Sequence, residues 1–416
     1  MKILHSSDWH LGQSFFTKSR KAEHQAFLHW LVQQVELHQV DAVIVAGDIF
    51  DTGTPPSYAR ELYNQFVVSL SQTGATLVVL GGNHDSVATL NESKQLLACL
   101  NTHVIANCSE ELSTQLLELS RRDGSSGALL CAVPFIRPRD LISSQAGESG
   151  LEKRQALGDA IQQHYQQLYQ LANEHNQHQQ RTLPIIATGH LSALGVSQSD
   201  SVRDIYIGTL DGFPAKDFPA FDYIALGHIH RPQIVAKQNH IRYSGSPIPL
   251  SFDELGSSKQ VLMVEFADGK LNDISALAVP NFQAMAVLKG SLQQIEQQLA
   301  QYDQADHAST SANSCTWLSI EVEVDDYLSD LQQRVQQLTE DKAVEVLQLR
   351  RARPQQRQAL QQAARETLAE LTPAEVFQKR LALEDFNTED AKARQQRISE
   401  QFQRITAEVI SQESAE

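Results

Sequence analysis

Short apolar runs that stop on a glycine and then a polar side chain recur along the first 230 residues. Val43-Ile44-Val45-Ala46 ends in Gly47-Asp48, and Thr76-Leu77-Val78-Val79-Leu80 ends in Gly81-Gly82-Asn83-His84-Asp85. Pro184-Ile185-Ile186-Ala187-Thr188 leads to Gly189-His190, and Tyr223-Ile224-Ala225-Leu226 to Gly227-His228-Ile229-His230. Lys2-Ile3-Leu4-His5 opens the series and stops at Ser6-Ser7-Asp8-Trp9-His10. Uninterrupted runs of this kind predict strands buried on both faces. Open α/β sheets bind ligands at the carboxyl ends of such strands.

Helical periods separate the runs. Phe27, Leu31 and Val35 repeat every four residues within a helix expected over about 20–38. Leu62, Phe66 and Leu70 do the same in a helix expected over 57–72, with Ser57 as its N-cap. A further helix is expected over 86–100, a strand at Ala128–Val133, a polar helix within 150–181 and a hairpin around Ala267-Asp268-Gly269-Lys270. Alternating strands and helices imply a layered α/β fold.

The texture changes near Pro280. Strands at Met285–Gly290, Trp317–Val322 and Ala343–Leu347, with helices over about 291–302 and 327–339, make a small α+β unit without ligand-type strand ends. After Leu349 the strand patterns stop. Arg350, Arg351, Arg353 and Arg357 form a basic cluster around Pro354. Thr372-Pro373-Ala374-Glu375 is a capping box with proline at the first helical position, and a last helix carries Ile398, Phe402, Ile405 and Val409. Such stripes need a partner, which is either the protein's own body or a helical ligand. The expected domains are therefore 1–279, a cap at 280–349 and C-terminal helices at 350–416.

Composition narrows the class. The 416 residues are 41% hydrophobic and 20% charged, as in a globular protein of two or three domains. No run reaches the ~18 apolar residues of a membrane span. The N-terminus lacks the long apolar region of a signal peptide, so a cytoplasmic location is expected. Cys99, Cys108, Cys131 and Cys315 form no C-x-x-C pair, which argues against a zinc ribbon. The net charge of −16 argues against a protein held on nucleic acid by bulk charge alone. Bound divalent ions or a basic partner would have to supply the positive field.

The strand ends collect Asp8, His10, Asp48, Asn83, His190, His228 and His230. Imidazole, carboxylate and amide without thiolate suit Mn²⁺, Fe²⁺ or Zn²⁺. One shared carboxylate with three further ligands per ion is a two-metal phosphoesterase arrangement. The expected first position takes Asp8, His10, His230 and bridging Asp48; the second takes Asp48, Asn83, His190 and His228. Asp8 and His10, like His228 and His230, are two apart and share a side in extended chain. His84 follows a ligand directly and is expected to act as general acid, with Asp85 orienting it. Arg137, Arg139 and Arg203 are candidates for phosphate contact, against the bland alternative of solvated loop arginines. The other histidines, among them His5, His24 and His164, are expected to be ordinary core or surface residues.

These motifs together resemble the calcineurin-like metallophosphoesterase superfamily. That resemblance implies a layered sandwich of two mixed sheets flanked by helices. The wording of His5–Gly12, Ala46–Asp51, Gly82–Ser86, Ser201–Gly208 and Ala225–His230 is similar to the SbcD family, nuclease subunits of bacterial ATPase–nuclease complexes. It implies a Mn²⁺-dependent DNA nuclease that works with an SbcC-like SMC ATPase in replication, recombination and repair. Implied with it are ATP-dependent 3′→5′ double-strand exonuclease and single-strand endonuclease action, hairpin opening and association with the nucleoid. It further implies a homodimer through helices of the nuclease domain (here 57–72 and 86–100), a DNA-contacting cap and C-terminal helices that bind the ATPase. Some relatives carry a histidine where this chain has Asp51. Two other readings stand beside this one: a small-molecule or phosphoprotein metallophosphoesterase, and a non-catalytic scaffold. The scaffold reading fits poorly with a full ligand set.

Overall fold

Strands that bury both faces need a layer on either side, and this chain supplies it by stacking two sheets. The structure is a computed structural model that describes residues 1–109, 111–141, 150–199, 201–202, 212–302, 315–323, 331–352, 397–398 and 401–402, without the side chains of 150–154. The expected C-terminal helices, the polar loop 303–314, the segment 203–208 with Arg203, and Arg353 and Arg357 lie outside the described residues. The chain divides into two units, Met1–Arg350 and Arg351–Glu416, and both large sheets with all seven ligand-type residues belong to the first.

The first sheet has the order Lys270–Ala278, Gln260–Ala267, Lys2–Ser6, Ala42–Val45, Thr76–Leu80, Thr102–Ile105. Its last four strands are parallel, with Leu4 opposite Val43 and Val45 opposite Val79. The second sheet runs Gln233–Val235, Gln238–Tyr243, Tyr223–Gly227, Ile185–His190, Ser126–Cys131, Leu116–Ser120, parallel at its centre and antiparallel at both edges. Both are mixed sheets, as the resemblance implied.

Between the sheets lies one core: Ile3, Ile44, Val78 and Leu80 from the first pack on Leu130, Ile186, Tyr223 and Ala225 from the second. Helices Lys21–His38 and Ser57–Gln72 cover the outer face of the first sheet through Phe27, Leu31, Leu62 and Phe66. Helix Gly150–His178 covers the second through Leu157, Ile161, Tyr165 and Leu168. The result is a four-layer α/β/β/α sandwich. No helix among the described residues is long and apolar enough to cross a membrane.

Several local expectations shift. Pro56, not Ser57, is the N-cap, because its fixed φ of −62° with ψ 154° gives the extended entry and leaves Ser57 as the first helical residue. The helix expected over 86–100 is two short ones, Val87–Asn91 and Lys94–Ala98, the first capped by Ser86, whose side chain accepts from the Thr89 N–H. The strand expected at Ala128–Val133 begins two residues earlier, at Ser126.

Residues 285–351 build a three-stranded sheet of Met285–Gly290, Thr316–Val322 and Val344–Arg351 with helices Leu292–Leu299 and Leu331–Thr339. Its core of Leu288, Ile295, Leu318, Ile320 and Val335 is its own. It meets the sandwich at one aromatic seam. Phe15 stacks on Trp317 at 5.8 Å with Phe252 edge-on, and Lys18 pairs with Glu345 at 2.5 Å.

Candidate metal centre

All seven ligand-type residues converge where the carboxyl ends of the central strands of both sheets meet. Asp8 and His10 follow Lys2–Ser6, Asp48 follows Ala42–Val45, and Asn83 follows Thr76–Leu80. His190 ends its strand, while His228 and His230 follow Tyr223–Gly227. The convergence does not come from extended chain. Asp8, His10, Asp48 and His228 have φ of 54°, 47°, 52° and 93°, a conformation costly for residues with a Cβ. Backbone bonds hold the turns, among them Asp8 N–H to Gly47 O at 3.0 Å and His10 N–H to Asp48 O at 3.0 Å. Strain kept in place at four of seven positions is the mark of a functional site. Glycines let the strand ends approach. A Cβ on Gly227 would lie 1.9 Å from the Ala46 carbonyl oxygen, and one on Gly82 would lie 2.1 Å from Asp48 Oδ1.

Two clusters of potential ligands share one acid. Asp8, His10 and His230 have ligand atoms within 4.8 Å of one another, and so do Asp48, His190 and His228. Asp48 Oδ2 stands 3.6 Å from His10 Nε2 and 3.2 Å from His190 Nε2, between the two. Asn83 Oδ1 joins the second cluster, 2.9 Å from His190 Nε2 and 3.2 Å from His228 Nδ1. His10, Asp48 and His84 form a third overlapping group.

The donor set fits divalent ions. His10 Nε2 and His228 Nε2 are buried and have no hydrogen-bond partner, an arrangement that is costly unless something else binds there. Oxygen and imidazole donors at this density suit a transition-metal pair. The far nitrogens are oriented as metal-binding imidazoles usually are. His10 Nδ1 meets Asp51 Oδ1 at 3.1 Å, His190 Nδ1 meets the Ala46 carbonyl at 2.9 Å, and His230 Nδ1 meets Glu254 Oε1 at 3.2 Å and Ser201 Oγ at 2.7 Å.

Charge follows the same geometry. Burial pushes the Asp48 carboxyl up, but His190, His10 and His84 hold it well below the usual carboxylate range. Burial would depress His190, yet neighbouring Asp48 lifts it to about 9. Burial, with His190 beside it, takes His228 well below its ordinary value. Burial also pushes Glu254 up, and His230 and Lys259 overcome that, leaving it far below the ordinary value.

His84 lies at the rim. Its N–H donates to Asp48 Oδ1 at 2.9 Å, and its ring sits edge-on to His10 with centroids 4.6 Å apart. Nδ1 meets the Asp51 carbonyl oxygen at 2.8 Å, which can only accept, so Nδ1 carries the hydrogen. That contact corrects the role expected of Asp85. Asp85 is buried, and its oxygens accept from the backbone N–H groups of Ile49, Phe50 and Gly82 at 3.1, 2.9 and 2.8 Å. A carboxylate so occupied ties the two strand-end loops together; the Asp51 carbonyl is what fixes the His84 ring. Burial and the charge of Asp48 push Asp85 up to about 6, against those three bonds.

Arg137 donates to the Asp85 carbonyl at 3.2 Å and lies over the Phe135 ring, whereas Arg139 is 81% exposed. Sequence reasoning missed Glu254 and assigned nothing to Asp51 beyond a departure from some relatives. Glu254 stands 24 residues from its histidine, and no local spacing reveals the pair.

The calcineurin-like phosphoesterase family matches residues 1–232, and the family described as type 5 capsule protein repressor C-terminal domain matches residues 281–385. The SbcD subunit of nuclease SbcCD from Escherichia coli strain K12 is 56% identical over 402 residues, 97% of each chain. The proteins of the same name from Rhodobacter capsulatus and Bacillus subtilis are 36% and 33% identical, each over 65% of this chain and 67% of theirs.

Proposed function

Since the chain belongs to the SbcD family of calcineurin-like phosphoesterases, we propose that it is the nuclease subunit of an ATPase–nuclease complex that hydrolyses DNA phosphodiesters at a two-metal centre. The carrying observation is the place of Asp48, whose Oδ2 stands between His10 Nε2 at 3.6 Å and His190 Nε2 at 3.2 Å. Asp8, His10, His230 and Asp48 would hold the first ion; Asp48, Asn83, His190 and His228 would hold the second. Mn²⁺ suits the nitrogen and oxygen donors. When bound, the ions polarise the phosphate and supply an activated water.

The chain's own residues do the rest. With Nδ1–H bonded to the Asp51 carbonyl, His84 in its doubly protonated form hands the Nε2 proton to the leaving oxygen and becomes the neutral Nδ1–H ring. Asp85 ties the Asn83–Asp85 turn to the Asp48 loop, and Arg137 holds the same turn through the Asp85 carbonyl. Residues 280–349 serve as a cap that contacts DNA, and the helices expected after 350 bind an SbcC-like SMC ATPase. The net charge of −16 supports a DNA grip shared with that partner. Val68 and Leu96, 47% and 67% exposed on helices Ser57–Gln72 and Lys94–Ala98, support a homodimer through these helices. The complex acts in the cytoplasm on the nucleoid, opening hairpins and processing double-strand ends by ATP-dependent exonuclease and single-strand endonuclease action.

A hairpin-DNA cleavage assay with Mn²⁺, with and without the ATPase, tests this. Cleavage by the complex and none by an Asp48→Asn complex is expected. Hydrolysis of a small phosphodiester with no action on DNA under either condition would replace it with the small-molecule phosphoesterase reading.

A further inference from the structure

The histidines of the two positions are backed differently. His190 Nδ1 faces a neutral backbone carbonyl, that of Ala46, at 2.9 Å. His230 Nδ1 faces a carboxylate, Glu254, that is fully buried. That carboxylate is itself fixed. Its Oε2 accepts from Lys259 Nζ at 2.5 Å and the Leu250 N–H at 3.0 Å, and its Oε1 accepts from Ser199 Oγ at 2.8 Å and from Ser201 Oγ. Lys259 also donates to the His230 carbonyl at 3.2 Å, so the pair grips His230 by ring and backbone at once.

We propose that Glu254 is a positioning residue that acts through His230 and makes the Asp8–His10–His230 position the tighter of the two, so that the centre loads in order. The inference rests on the two-metal reading above. Three physical points carry it. An anionic partner on the far nitrogen makes an imidazole a stronger donor and fixes its ring. The first position has two carboxylate ligands, Asp8 and the shared Asp48, whereas the second has Asp48 and the neutral Asn83 amide. Burial keeps water from screening the Glu254 charge, while Asp51, the carboxylate behind His10, is 24% exposed. Removing such an outer partner ordinarily weakens metal binding by about 10–100-fold.

The test is Mn²⁺ binding to the full-length, chelator-stripped chain, followed as free Mn²⁺ by electron paramagnetic resonance. Wild type should bind two ions in a tight and a weak step. His230→Ala should remove the tight step and His190→Ala the weak one, which assigns each step to its position. Glu254→Gln should weaken the tight step about 10–100-fold and move the weak step less than about twofold. Lys259 would then lie buried without its anion, so Glu254→Gln with Lys259→Met removes both charges together and should show the same selective loss. Unchanged binding, or equal weakening of both steps, in a folded variant overturns the inference while the two-metal reading stands. A wild-type chain that binds fewer than two ions overturns that reading and the inference with it.

Discussion

The two sheets contribute unlike chemistry to one centre. The first supplies both carboxylates of the proposed ligand set, Asp8 and Asp48, with the Asn83 amide and the imidazoles of His10 and His84. The second supplies only imidazoles: His190, His228 and His230. Neither half alone offers two full sets of candidate ligands, so the proposed centre needs the sheets packed face to face. The seam is built for this. His5 of the first sheet meets Tyr223 Oη at 2.9 Å and the Leu226 carbonyl at 3.2 Å, both on the second. Gly227 of the second lies so close to Ala46 of the first that no side chain fits between. The three-stranded sheet of residues 285–351 makes the contrast sharper. It repeats the strand–helix alternation, yet among the described residues all three ligand clusters lie in the sandwich.

The largest expected effect of a single change falls on turnover. If His84 serves the leaving group as proposed, His84→Ala should lower kcat by about 10²–10⁴-fold with both metal ions still bound. Loss of metal together with activity would make His84 a ligand instead. Next comes the seam. Gly227→Ala should destabilise the fold by about 3 kcal/mol in denaturant unfolding and impair binding at both positions, since the added carbon must push the sheets apart. A variant of unchanged stability and normal metal content would break the comparison.

A separate effect is graded by pH and accumulates over several pH units. Burial lowers His5 and His24 to about 3, so the unfolded chain takes up protons below about pH 6.5 that the folded chain refuses. Stability should therefore fall by about 1.4 kcal/mol per pH unit for each histidine as pH drops from 6.5 toward 4. His190 acts in the opposite sense in the metal-free chain. Its contribution is full below about pH 6.5 and is lost as pH rises through about 9. Thermal unfolding across pH, with and without Mn²⁺, should show the alkaline decline only when metal is absent.

Much of the sandwich was legible because its central strands are uninterrupted apolar runs that need no tertiary context. Thr76–Leu80 coincides with its run, and helix Lys21–His38 follows the four-residue stripe. The edges were not legible. Thr102–Ile105 and Leu116–Ser120 are short and partly exposed, so their apolar signal is diluted. The hairpin strands Ser14–Phe15 and Lys18–Ser19 are too brief to show a period. The ligand-type residues stood out because folding alone has no need of such side chains after a buried strand. Their outer partners did not. Glu254 ends a one-turn 3-10 helix and Asp51 lies in a loop, and only the packing of distant segments turns them toward His230 and His10. Asp85 was misread for a related reason. Adjacency to His84 suggested a side-chain partner, while the loop's unpaired backbone amides had the stronger claim on its carboxylate.

The central claim is that Asp48 is the one ligand both positions share. Metal content of the chelator-stripped, Mn²⁺-reloaded Asp48→Asn chain, measured beside wild type, Asp8→Asn and Asn83→Ala, tests it most directly. Wild type should hold two ions, and Asp8→Asn and Asn83→Ala should each lose one. Asp48→Asn should lose both while keeping the wild-type circular dichroism spectrum. A folded Asp48→Asn chain that retains one tightly bound ion would contradict the claim.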